Sequence, residues 1–495
     1  MSIDIDKLKK DLKNNPVFNM SLSGKEIFHS NVLAWLLSET DDNGVEEDDD
    51  NGEPTQTAKN LSELFPPKDK KEGEQYRVLT VFREKNDFDL LVLYLEEDDY
   101  KKFKEARKNV PDDAKINIED TTDEIKFDND KKAILKEQMD CLAKCKFVVI
   151  ENKFKAIPDS EQLDRYYFEI CGYKKNRNND WHNKNNINLV NIANVKIAEN
   201  GKIQINEGNT TCYLLAPQEA LNLFNKKDET ENSYTNNINF DYINEKAKKL
   251  NTSISVNWSF VSYDDLIKKI KPEGKNEVIL NHYVNFTKKM LELSKEAVNV
   301  ENSTKVYDFE KTVKQLKSIR IHDFYEKLWF SAVMAVIRKN LPKKINEGLA
   351  TEVGYTNGMG MLNFMYTFEK FPEARFGIEI QAKQLRIAVY ITDKKNYEWE
   401  RKEGTTSKNP EKEQFENIFV WLCSIYKQIK QDNTESFEYS NEKELELLKF
   451  ADFKYIKIPL KVENLTVDIL GKKIQEVLSI MKSSVERFLG HTKHI

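Results

Sequence analysis

Phe147–Ile170 reads FVVIENKFKAIPDSEQLDRYYFEI, and its first seven residues decide the fold. Phe147, Val148, Val149 and Ile150 form a short apolar run of the kind that makes a buried strand. The run ends on Glu151-Asn152-Lys153 rather than on a turn. Residues two apart on a strand share a face, so Glu151 and Lys153 project together while Asn152 faces away. Pro158-Asp159 follows, and then a segment from about Ser160 to Cys171 that reads as a helix, with Gln162 and Tyr166 one turn apart on one face. An acid and a cation at a strand end can be an exposed ion pair, worth little. Their company along the chain points to a site instead.

Upstream, YRVLTVFREKNDFDLLVLYLEED gives two strand-like runs, Arg77–Arg83 and Phe88–Leu95, joined at Lys85-Asn86-Asp87 as a hairpin. Asp89 stands where the second run begins, and Glu84 just before the turn. GKEIFHSNVLAWLLSE predicts a helix from about Lys25 to Ser38, with Ser23 as a cap and Glu26 in its first turn. Downstream, Thr211–Pro217 reads as a strand and Val256–Ile270 as a strand followed by a helix. Residues 1–300 therefore read as one α/β layered domain, with polar insertions near 39–75, 96–143 and 172–210. Residues 301–495 restart with a strong helical pattern, continue through antiparallel strand patterns, and end on an amphipathic helix from about Val467 to Leu489. This second half reads as an α+β domain, a candidate for recognition of substrate or partner.

A chain of 495 residues exceeds one compact core. Hydrophobic content of 39% supplies real cores, and 32% charge a soluble exterior. No run of eighteen apolar residues and no apolar leader is present, so neither membrane insertion nor secretion is expected. Five cysteines without dense spacing fit reduced thiols, and a cytoplasmic location is the expectation. The net charge of −6 excludes a polyanion partner held by the whole surface, and any nucleic-acid site must be a local basic patch. Part of the negative balance sits in SETDDNGVEEDDDNGEP, residues 38 to 54, which has no cation. One basic candidate is GYKKNRNNDWHNKNN, where Lys174, Lys175, Arg177 and Lys184 interleave with Trp181 as phosphates and bases require. A solvated loop is the competing reading.

Asp89 and Glu151 on neighbouring strand ends supply the one or two carboxylates that a hard dication needs, and Lys153 can orient or deprotonate the attacking water beside them. Asp89, Glu151-x-Lys153 and Gln162-x-x-x-Tyr166, in that order, resemble the signature of the PD-(D/E)XK nuclease superfamily, in particular its RecB-like branch. KEIFHSNVLAWLL and VVIENK are similar to uncharacterised bacterial members, and the matched region covers roughly Lys25 to Ile270. The resemblance implies a restriction-endonuclease-like mixed sheet flanked by helices. It also implies Mg²⁺ or Mn²⁺ held by Asp89 and Glu151 with Glu26 and Glu84 as accessory acids. Lys153 would serve the nucleophilic water, and Gln162 and Tyr166 would contact water or substrate. The implied activity is metal-dependent hydrolysis of phosphodiester bonds in nucleic acid, DNA in preference to RNA, with bacterial defence as a setting. The alternative is a nuclease-fold module of weak or no catalysis that binds nucleic acid, a ligand or a protein partner.

Two departures stand out: about sixty residues separate Asp89 from Glu151, and no proline precedes Asp89. Structural readings also compete at single positions. Gln162 has capping-box spacing from Asp159, Tyr166 can be core, and Glu26 can be the reciprocal partner of a Ser23 cap. Cys141 and Cys145 lack the doubled tight spacing of structural zinc. GYTNGMGM has no Lys-Ser/Thr ending and reads as a turn between strands.

Overall fold

The computed structural model describes residues 3–38, 40–41, 53–84, 88–108, 137–138, 140–154, 163, 166, 170, 173–175, 181–183, 188–191, 202–204, 208–223, 237–238, 258–356, 358–368, 371–391, 410–432, 448–450 and 453–492. The chain is mixed α/β and divides into two compact units, Lys7–Glu292, and Leu293–Ile495 together with Met1–Asp6.

The sheet of the Lys7–Glu292 unit grows from the buried run that opens the site. Strand β1 (Tyr76–Arg83), β2 (Leu90–Glu96), β3 (Lys146–Asn152), β4 (Thr210–Ala216), β5 (Asn237–Ile238) and β6 (Trp258–Ser262) lie in the order β5-β6-β4-β3-β2-β1. β1, β2 and β3 form an antiparallel meander, whereas β3, β4 and β6 run parallel. Parallel pairing buries both faces. Accordingly Phe147–Ile150 and Leu214 to Ala216, on parallel-paired strands, are fully buried, and so are Leu90–Leu95 on the antiparallel neighbour β2.

Helix α1 spans Pro16–Ser38, starting about two and a half turns before the predicted start at Lys25. The start signal is Asn15-Pro16: the Asn15 side chain accepts from the Phe18 N–H at 3.1 Å and donates to the His282 carbonyl at 2.9 Å. Ser23 therefore lies inside the helix and does not cap it. Helix α2 (Gln56–Leu64) is capped by Thr55, which accepts from Ala58 N–H.

The polar stretch expected to be elaboration contributes a packed helix, α3 (Glu97–Lys108), with acids in its first turn and cations in its last. Phe103 and Ala106, three apart, are buried, and Arg77 on β1 ties the helix down through Glu97 at 3.2 Å. α4 (Tyr263–Lys269) follows β6 directly, capped by Ser262, whose Oγ accepts from the Asp265 N–H at 3.0 Å. A long helix, α5, covers Glu277–Ala297.

In the other unit, β7 (Leu349–Thr356), β8 (Met359–Phe368), β9 (Phe371–Gln381), β10 (Gln384–Ile391), β11 (Leu448–Phe450) and β12 (Phe453–Pro459) form an antiparallel sheet in the order β7-β8-β9-β10-β12-β11. Leu362, Ile380, Leu385 and Ile458 are cross-strand neighbours, as are Phe364, Ile378, Ile387 and Ile456. All eight are buried. The helices are α6 (Phe309–Leu316), α7 (His322–Asn340), α8 (Pro410–Asp432) and α9 (Val467–Thr492). GYTNGMGM spans the end of β7 and the start of β8, whose residues pair with one another, and Gly358 just before β8 has φ 74°.

Glu326 on α7 is buried and accepts the Gly360 N–H at 2.8 Å, fixing the start of β8. Burial raises its carboxyl above the ordinary 4.5, against the lowering pull of that N–H. The folded chain thus holds this proton to higher pH than the unfolded chain does. The associated stability is present below the ordinary value and is lost as pH rises through the raised one. Glu326→Gln keeps an oxygen acceptor without a charge. Thermal melting should show its Tm rising relative to the parent between pH 4 and pH 8.

The Asn15 cap gives a second expectation. Asn15→Ala should cost about 1 kcal/mol from the cap alone, read as a lower midpoint in urea unfolding.

Candidate active site

Three side chains meet at the ends of β2 and β3. Leu90 pairs with Ile150, which sets Asp89 beside Glu151. Asp89 Oδ2 accepts the Asn152 N–H at 2.8 Å. Lys153 stays in register with β4 by donating its N–H to the Leu215 carbonyl at 2.8 Å, so its side chain shares a face with Glu151. Its Nζ stands 2.8 Å from Glu151 Oε1 and 3.8 Å from Asp89 Oδ2.

Burial is what distinguishes this cluster from a surface pair. The Glu151 side chain is 0% exposed and that of Lys153 only 6%, with Asp89 at 21% forming the open side. The exposed-pair reading of Glu151-x-Lys153 is therefore excluded. A buried carboxylate of this kind needs a cation, and Lys153 supplies it. Asp89 and Glu151 are carboxylates on adjacent strand ends, and a hard dication takes one or two carboxylates and completes its shell with water and substrate oxygens. Among the described residues, no three His, Cys, Asp or Glu side chains gather around one point.

Glu84, expected as an accessory acid, does not join them. Its backbone has φ 52° and its N–H closes the loop on the Asp89 carbonyl at 3.3 Å, while its side chain is exposed. Its position serves the turn. Glu26 lies in α1, but its side chain falls outside the described ones. That helix meets β3 through Ser30, which faces Asn152 and hence the side of the strand opposite Glu151 and Lys153.

Of the following helix, Leu163, Tyr166 and Ile170 are described, helical and buried. Tyr166 packs edge-on against Phe88 with ring centroids 5.6 Å apart, so it fills the core next to Asp89. Gln162, Arg177 and Lys184 lie outside the described residues. Lys174, Lys175 and Trp181 fall in a short antiparallel hairpin, Tyr173–Lys175 with Trp181–Asn183, in which Lys175 pairs with Trp181 and Lys174 with His182.

Asn152 is the residue that sequence reasoning passed over. Its amide donates to Ser30 Oγ at 3.2 Å and accepts from the Tyr263 hydroxyl. The alternation that sends Glu151 forward already sends Asn152 to the back of the sheet, but the partners come from positions 30 and 263, too distant for any local pattern to reveal.

Comparison of the chain with family models, with curated proteins and with solved structures finds no match.

Removing Lys153 should leave the Glu151 carboxylate buried without its nearest counter-charge. We expect Lys153→Met to lower metal-free stability by about 3–5 kcal/mol, the cost of breaking a buried pair, measured by denaturant unfolding. A loss below about 1 kcal/mol would place the pair with ordinary surface bridges.

Proposed function

We propose that the protein is a metal-dependent phosphodiester hydrolase acting on nucleic acid, DNA in preference to RNA. The observation that carries this reading is the convergence of Asp89 and Glu151 from adjacent strand ends on the Lys153 ammonium. An antiparallel meander β1-β2-β3 followed by a parallel β4, with helical residues in the crossover, supports a restriction-endonuclease-like arrangement of the sheet. The resemblance of Asp89, Glu151-x-Lys153 and Gln162-x-x-x-Tyr166 to the PD-(D/E)XK pattern supports the same reading.

In this reading Asp89 and Glu151 would hold Mg²⁺ or Mn²⁺. The bound cation would polarise a phosphoryl oxygen and sharpen a water into a nucleophile. Lys153 orients that water and offsets charge that grows on the phosphate in the transition state. Phe88 and Tyr166 pack beside Asp89 and shield the base of the site from solvent. Asp89 supplies the exposed edge by which substrate enters. Lys174, Lys175 and Trp181, on their hairpin after the Tyr166 helix, are the proposed nucleic-acid contacts, with Arg177 and Lys184 in the same stretch of sequence.

Purified protein with Mn²⁺ and a panel of duplex DNA, single-stranded DNA and RNA tests the proposal. Asp89→Asn and Glu151→Gln each remove a charged ligand at nearly constant shape, and cleavage should vanish in both. Lys153→Met, assayed below its melting temperature, should bind Mn²⁺ at least as tightly as the parent by calorimetry. Its turnover should fall by about two or more orders of magnitude. Full cleavage by any of the three variants would sink the assignment, and binding of nucleic acid without cleavage by the parent would favour a non-catalytic nuclease-fold module.

A further inference from the structure

Glu151 and Lys153 face the candidate site, while the alternate residues Asn152 and Phe154 point to the other side of the strand, where both are fully buried. Phe154 sits in an aromatic cage, its ring centroid 4.2 Å from His29 on α1, 4.3 Å from Tyr263 on α4 and 5.6 Å from Phe286 on α5. Asn152 is held by polar contacts from two of the same helices: Ser30 Oγ accepts its amide N–H at 3.2 Å, and the Tyr263 hydroxyl donates to its amide oxygen. Tyr263 is itself fixed as the first residue after the Ser262 cap. Toward the site, the Asn152 backbone N–H donates to Asp89 Oδ2 at 2.8 Å. One residue is therefore anchored at the back by its side chain and presents at the front the donor that orients a site carboxylate.

Resting on the hydrolase reading above, we infer that Asn152 is a positioning residue, and that Tyr263 and Ser30 act through it. The Tyr263 hydroxyl and Ser30 fix both ends of the Asn152 amide, and so fix the rotation of the strand end about its axis. That rotation sets the direction of the Asn152 N–H and, through it, where Asp89 stands relative to Glu151 and Lys153. The Phe154 cage sets depth, because an aromatic ring can turn among other rings without changing its burial. The paired amide contacts set angle, because hydrogen bonds weaken steeply when misaligned. A site that must place a water between two carboxylates and a phosphate depends on angle as well as depth.

The full-length Tyr263→Phe variant tests this, since it leaves the ring in the cage and removes only the hydroxyl. Ser30→Ala removes the other partner and serves as a second variant if the first folds poorly. Without metal, amide hydrogen exchange at Asn152 should accelerate about tenfold, while exchange along Phe147–Ile150 stays at the parental rate. With Mn²⁺ and a cleaved substrate, kcat should fall by about tenfold or more with KM within about twofold of the parent. Unchanged exchange at Asn152 in both variants overturns the positioning role whatever happens to cleavage. Uniform acceleration along the whole strand, or a rise in KM at constant kcat, overturns it in favour of a purely structural contact. If the parent cleaves no nucleic acid yet Asn152 exchange responds as expected, the hydrolase reading falls and the coupling from Tyr263 to the strand end stands.

Discussion

A fully buried carboxylate has to be neutralised, and around Glu151 that requirement organises the centre of the sheet. Lys153 sits two residues on, so the strand must stay extended through Asn152 for the two side chains to meet. Extension is secured by pairing with β4, through the Lys153 N–H and the Leu215 carbonyl. The meander then brings the start of β2 alongside, and with it Asp89. Charge, register and topology are thus one constraint seen at three scales. Removing Lys153 would take away the cation 2.8 Å from a fully buried carboxylate, and breaking a buried pair is costly.

The same arrangement explains how a site can be prepared without a cation. Lys153 lies closer to Glu151 than to Asp89, leaving Asp89 as the member with a solvent-facing side. On the proposed hydrolase reading, a dication held by both acids would take over part of the role of the ammonium, and the lysine charge would then serve a water or a phosphate. A surface pair would hold no such store, because water already screens it.

How much of this was legible depends on the range of the interaction. Strands β1 to β4, β6 and the last helix follow from apolar runs and their punctuation, which are local. The start of α1 is not legible locally, because Ser23 and Glu26 imitate a capping box, whereas Asn15-Pro16 provides the cap and its stabilising partner, the His282 carbonyl, is remote in sequence. α3 is hard to read from sequence because its composition is so polar; of its buried residues Asp99, Phe103 and Ala106, only two are apolar. Glu84, an acid near the site in sequence, has a left-handed backbone and an exposed side chain, neither of which is legible locally.

The sequence by itself determined the face that Glu151 and Lys153 share, since strand alternation is a property of the backbone, and it placed Asp89 at the head of a neighbouring strand. It also determined that Asn152 turns away from them. Only the tertiary structure decided that the acid–lysine pair is buried, that Tyr166 packs into the core beside Asp89, and that Ser30, His29, Tyr263 and Phe286 meet behind the strand. The physical reason is that burial and partnership are sums over elements far apart along the chain, whereas alternation is fixed between one residue and the next.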